Sequence, residues 1–237
     1  MSMKSNGQIA FTLAEVLITL GIIGVVAALT LPNLIADYRA SVVETRLKKF
    51  YSVMNQAILH SVNENGEVEN WNYFIDQTTD DDGEYINKSD ISDLSFQKYL
   101  APYLKIIEKK ELTDGDGQKR ILYYFADGSA FAYQAYENRE IVFFPKNAEK
   151  CLEFPKTESF GVCAFAFQFY PISNNKGWKY LYNKRMEAYL YLWDGDEHTL
   201  YSDASYGCKE GNGNYCAAII HRNGWKVPED YPKRISF

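Results

Sequence analysis

Two acid-rich turns, four cysteines and three histidines are the reactive inventory of this 237-residue chain. The turns Asp114-Gly115-Asp116-Gly117 and Asp194-Gly195-Asp196-Glu197 gather carboxylate oxygens, the hard ligands that Ca²⁺ takes. Neither has the sixth-place Gly and closing acid of an EF-hand loop, so the competing reading of each is a plain hairpin turn. In the second turn the candidate Ca²⁺ ligands are Asp194, Asp196 and Glu197. The run Asp80-Asp81-Asp82-Gly83 reads as a solvated loop. His60, His198 and His221 belong to no GxSxG, HExxH or P-loop pattern, so no catalytic residue is assigned and the chain does not read as an enzyme. Cys151, Cys163, Cys208 and Cys216 contain no CxxC pair, which argues against zinc. Four cysteines allow three pairings. Sequence neighbours favour Cys151–Cys163 and Cys208–Cys216, with free buried thiols as the alternative.

A different kind of signal lies near the N-terminus. Phe11 to Ile35, FTLAEVLITLGIIGVVAALTLPNLI, carries a single charge, Glu15. A hydrocarbon core about 30 Å thick needs roughly 20 apolar residues as helix, so this run is long enough to span. A carboxylate at the centre of such a helix costs about 2.5–3.5 kcal/mol and marks function by default. Glu15 lies close to the start of the run, where a carboxylate can also reach back to the interface.

The elements around these residues follow from periodicity. After Pro32 the pattern stays helical but turns amphipathic: Leu34, Tyr38, Val42, Leu47, Phe50, Met54, Ile58 and Val62 recur at intervals of mostly three to five. Gly66 supplies a stop. The basic patch Arg46–Lys49 reads as a solvated helix face rather than a DNA site. Glu67 to Asp93 reads as a polar loop with an apolar piece at Trp71–Ile75, and Asp93–Lys105 as a short helix limited by Pro102. ILYYFA-DGS-AFAYQAY is a hairpin signal with Asp127-Gly128 at the turn. Glu140–Phe144 reads as the next strand. Cys163–Tyr170 places Phe165, Phe167 and Phe169 on one face. Met186–Trp193 is a further apolar run. Asn214–His221 and Trp225–Val227, separated by Asn223-Gly224, read as another hairpin. Hairpins following one long helix give an α+β fold.

The stretch AFTLAEVLITLGIIG resembles the N-terminal signature of type IV pilins and the pseudopilins of type II secretion systems. In that family a leader is cut before a Phe, a Glu lies five residues into the mature chain, and a Pro lies 22 residues in; the matching residues are Phe11, Glu15 and Pro32. Ala10 stands where most members have Gly. The resemblance implies a leader at residues 1–10, cleaved at Ala10–Phe11 by a prepilin peptidase that N-methylates Phe11. It implies a transmembrane segment at 11–35, an amphipathic stalk helix at 36–65 and an extracytoplasmic β-rich head at 66–237, the long helix packing on an antiparallel sheet. Glu15 and Pro32 would serve assembly. The protein would be stored as a single-pass inner-membrane protein and assembled with other pilins into a pilus or a periplasmic pseudopilus. An extracytoplasmic head suits disulfides. Lys4 precedes the run while Arg39, Arg46, Lys48 and Lys49 follow it, an asymmetry that by itself favours the opposite orientation; those downstream charges lie on a continuing helix rather than in a short loop. A net charge of −6 argues against nucleic acid as the main partner. The alternative is a membrane-anchored extracytoplasmic enzyme or binding module that uses the run only as an anchor.

Overall fold

The computed structural model describes residues 12–73, 88–134, 140–169 and 185–237. Its longest element is helix α1, Leu13–Asn65, which continues through Pro32 without ending there. The stop is at Gly66, whose φ of +79° suits a residue without Cβ and whose N–H donates to the Val62 carbonyl at 2.9 Å. The chain divides into two compact units, Met1–Arg39 and Ala40–Phe237.

In the first unit α1 carries no charged side chain between Glu15 and Asp37. Its most apolar window has a mean hydropathy of 2.3 with none of it buried. By length and composition this is a helix able to cross a membrane.

The second unit is built on a six-stranded antiparallel sheet in sequential order, β1 (Glu108–Thr113), β2 (Lys119–Tyr124), β3 (Ala130–Tyr133), β4 (Glu140–Phe144), β5 (Phe165–Phe169) and β6 (Met186–Ala188). Strand alternation sends Phe131, Phe143 and Phe167 to one face, where they meet Phe50 of α1. The Phe50 ring stacks on Phe143 with centroids 4.2 Å apart and lies 5.5 Å from both Phe131 and Phe167. Val43, Leu47, Met54 and Ile58 complete the buried stripe at helical spacing. Helix α2 (Lys88–Tyr99) adds Phe96, whose ring lies 4.0 Å from that of Tyr123.

Polar contacts fix α1 on this unit. Arg46 donates to the carbonyls of Asp127, at 2.6 Å, and of Pro145. Lys49 pairs with the Asp127 carboxylate at 2.7 Å. Two of the basic residues expected to be solvated therefore dock the helix onto the β2–β3 turn. At the far edge of the sheet, the Asn55 side chain imitates a strand. It accepts from Met186 N–H at 2.9 Å and donates to the Met186 carbonyl at 3.1 Å, so the outer edge of β6 is partly closed.

The fold class is α+β, as the hairpin pattern predicts, and the β2–β3 turn at Asp127-Gly128 and strands β4 and β5 fall where expected. Other expectations are corrected. The hairpin over Asn214–Val227 is instead a helix, α6 (Cys216–Arg222), the short helices Ala148–Leu152, Lys156–Ser159 and Thr199–Ser202 being α3 to α5. Cys216 to Ile220 are all buried, and a short fully buried apolar run has no period that separates strand from helix. In the apolar run Met186–Trp193 only Met186–Ala188 is strand, and Leu192 beyond it takes a left-handed φ of +57°. Helix α2 starts at Lys88 and ends at Tyr99, ahead of Pro102, rather than spanning Asp93–Lys105. The charged edge strand β1, EKKELT, has no alternation to announce it; its burial pattern is exposed or half-buried throughout.

Candidate functional site

The N-terminus of α1 is organised by two side chains. Thr12 is the residue before the helix and Glu15 is its third helical position. The Thr12 N–H donates to Glu15 Oε2 at 2.9 Å, and the Thr12 hydroxyl donates to the same oxygen at 2.8 Å. The Glu15 N–H in turn donates to Thr12 Oγ1 at 3.3 Å. This is a capping box, in which a Thr and a Glu three residues on satisfy each other's backbone donors. The lone carboxylate of the apolar run thus receives two hydrogen bonds from its own chain, which offsets part of the cost of carrying a charge there. Thr12 was not singled out in the sequence. The T-x-x-E spacing ahead of an apolar run was the signal that identifies it.

Beyond the box, Thr19 and Thr30 bond back to carbonyls of their own helix, Thr19 to Glu15 and Val16 and Thr30 to Val26. A Cβ at Gly21 or Gly24 would meet nothing within 4 Å. Pro32 lacks an N–H, so the Ala28 carbonyl four residues earlier has no intrahelical donor there. Ala10 and Phe11, the expected cleavage and methylation positions, lie outside the described residues, as does the Asp80-Asp81-Asp82-Gly83 run.

The structure puts the acid-rich turns to structural use. Asp194 Oδ1 accepts from the Asp196 N–H at 3.0 Å and from the Thr199 hydroxyl at 2.7 Å. Asp196 Oδ1 accepts from the His198 N–H at 2.9 Å. Glu197 points elsewhere and pairs with Arg222 at 2.8 Å. Asp114 caps its own turn and pairs with Arg120 at 2.7 Å. Burial alone would raise the Asp114 carboxyl, and the bonds from Arg120 and from the Gln118 and Asp116 N–H groups outweigh it and hold it below the usual range. Among the described residues no three His, Cys, Asp or Glu side chains are grouped as metal ligands; Asp194 and Asp196 are hydrogen-bonded within their own turn.

The cysteines form two disulfides, Cys151–Cys163 and Cys208–Cys216, with Cα atoms 5.9 and 4.8 Å apart. The histidines stay in separate settings. His60 lies on α1 beside Tyr103, and His198 precedes α5. His221 on α6 sits 3.8 Å from Glu187 and packs on Trp225, 4.4 Å between centroids. Burial lowers His221 and raises Glu187.

A protein-family profile described as "Family of unknown function (DUF6613)" matches residues 33–235. The chain belongs to this family. The match begins one residue after Pro32, so the family is defined by the second unit together with the end of the first. No curated protein and no solved structure matches the chain.

Proposed function

We propose that this member of the family is the structural subunit of a type IV pilus or type II secretion-like filament, processed by a prepilin peptidase and assembled through its N-terminal helix. The observation that carries the reading is the start of α1. The apolar run of α1 up to Ile35 bears one carboxylate, Glu15, four residues after Phe11 and its matching scissile bond. The layout beyond is compatible with it, since the same helix supplies a buried stripe to a sheet-based head held by two disulfides. Cleavage would leave a free amine at Phe11. In a bundle of such helices an isolated ammonium and an isolated carboxylate are both costly, and pairing Glu15 of one subunit with Phe11 of a neighbour offsets both. Desolvation can cancel the Coulomb gain, so the main effect of the pair is register.

One observation favours a second reading. The capping box gives Glu15 a task inside its own helix, which would suffice for a plain membrane anchor. Processing separates the two. Intact-mass measurement of the membrane-extracted chain, from cells with active prepilin peptidase, should give a mature protein beginning at a methylated Phe11. A mass that retains residues 1–10 would contradict the filament reading.

A further inference from the structure

The geometry points to a binding groove in the second unit for an acidic saccharide, a short chain of sugars bearing carboxylates, held between the polar face of α1 and the turn that follows α6. The inference concerns this unit alone and goes beyond the filament reading without resting on it.

The groove has a volume of about 430 Å³, within the range of small-molecule sites. One wall is α1. Thr45, Lys48 and Ser52 line it at i, i+3 and i+7, so they share a helix face. Seven residues of helix rise about 10 Å, the length of a disaccharide. All three side chains are exposed, and none has a hydrogen-bond or ion-pair partner among the described residues. Other helical hydroxyls of this chain fold back on a carbonyl four residues earlier, as those of Thr19, Thr30 and Ser92 do. Those of Thr45 and Ser52 do not.

The other wall is the turn Gly224–Lys226, which supplies the indole of Trp225. Gly224 closes α6 in a left-handed conformation, φ +67°, its N–H donating to the His221 carbonyl and the Trp225 N–H to the Ile220 carbonyl at 2.9 Å. Such a cap needs one left-handed residue. Trp225 is a second, at φ +66°, which a bulky side chain rarely adopts. Glu44 of α1 holds the turn: its Oε1 accepts the Val227 N–H at 3.0 Å and its Oε2 the Lys226 ammonium at 2.6 Å. The half-buried indole rests on His221 and Tyr51, with centroids 4.4 and 5.0 Å away. Backbone strain held in place by its surroundings clusters at ligand clamps.

The charges select the ligand. Three ammonium groups line the groove, but Lys226 is paired with Glu44 and Lys49 with Asp127, so Lys48 carries the one uncompensated charge. One ammonium between two hydroxyls, in a groove shared with an indole, matches a carboxylate among ring hydroxyls on a sugar whose C–H face lies on the indole. A bare phosphate leaves the indole unused, and an apolar ligand strips water from Lys48 without replacing it.

The test is titration calorimetry of the full chain in a polyoxyethylene detergent, which has no sugar headgroup. The probes are digalacturonate, lactose and inorganic phosphate. Digalacturonate should bind at least tenfold more tightly than lactose, the effect of one charge-assisted hydrogen bond. Lys48→Gln should bring digalacturonate down to the level of lactose without moving the unfolding temperature, because Lys48 has no partner to lose. Trp225→Gly removes the indole at a backbone angle that suits glycine, and should weaken digalacturonate at least tenfold. A chain that forms no filament but binds in this pattern would remove the filament reading and leave the groove standing. Absent digalacturonate binding, equal binding of lactose, or wild-type affinity in Lys48→Gln would overturn the inference. Phosphate that binds as tightly as digalacturonate, with both indifferent to Trp225→Gly, would reduce the groove to an anion site and overturn it as well.

Discussion

One helix is apolar in two different ways. Between Leu13 and Ile35 its large side chains face outward, with Leu13, Leu17 and Leu29 78%, 62% and 72% exposed. Between Val43 and Ser61 the apolar residues recur at three- and four-residue intervals, and Val43, Leu47, Met54 and Ile58 have no exposed surface at all. The first segment has no polar face to leave in water; the second has one, carrying Thr45, Lys48, Ser52 and Gln56. Hydrophobicity alone does not say what a helix packs against, whereas its period does. The first segment is long and apolar enough to cross a membrane, and the second is covered by its own head.

The contrast breaks most visibly at the aromatic centre of the head. Phe50→Ala removes the ring that stacks on Phe143, and should cost about 3–5 kcal/mol in denaturant unfolding of the full chain in detergent, followed by near-ultraviolet circular dichroism. Leu17→Ala in the exposed segment should leave that transition unmoved. The disulfides give the next largest effect, and only in the head. Cys208→Ser with Cys216→Ser should cost about 2–4 kcal/mol in the same unfolding, and thiol titration of the denatured, unreduced wild-type chain should find no free thiol.

Acid should loosen the docking of α1 along with the other carboxylate contacts of the head. Burial alone would raise the Asp127 carboxyl, but the Lys49 ammonium and the Ser129 hydroxyl and N–H hold it at about 2. Its folded value lies below the unfolded one of about 3.9, so its contribution is present above pH ~4 and is lost as pH falls through about 2. The unfolding temperature should fall across that window, and Asp127→Asn should reduce the dependence there by its own share. The smallest effect is a null one. Millimolar calcium should leave the unfolding temperature unchanged, because Asp194 and Asp196 are spent on their own turn and Glu197 on Arg222.

How much of this was legible in the sequence varied with the strength of the local period. The α1 stripe, the Gly66 stop, the β2–β3 turn and the Phe165–Phe169 strand each declare themselves through spacing or a turn glycine. Helix α6 did not, because five consecutive buried residues erase the amphipathic signal. The docking role of Arg46 was invisible because its partners are backbone carbonyls 81 and 99 residues away. At the candidate site Glu15 was visible as a lone charge, and its partner Thr12 was equally present in the T-x-x-E pattern. The Asp194–Glu197 turn shows the reverse: its clustered acids are plain in the sequence, and the hydrogen bonds and ion pair that engage them are not.

The central claim is that the charge on Glu15, rather than its capping geometry, serves assembly. Glu15→Gln keeps the cap and removes the charge. In a strain lacking the wild-type copy, its membrane and sheared-surface fractions should be compared, with cleavage followed by gel shift. The account predicts that the variant is inserted and cleaved but absent from the sheared fraction; filaments at wild-type level would contradict it and leave the anchor reading ahead.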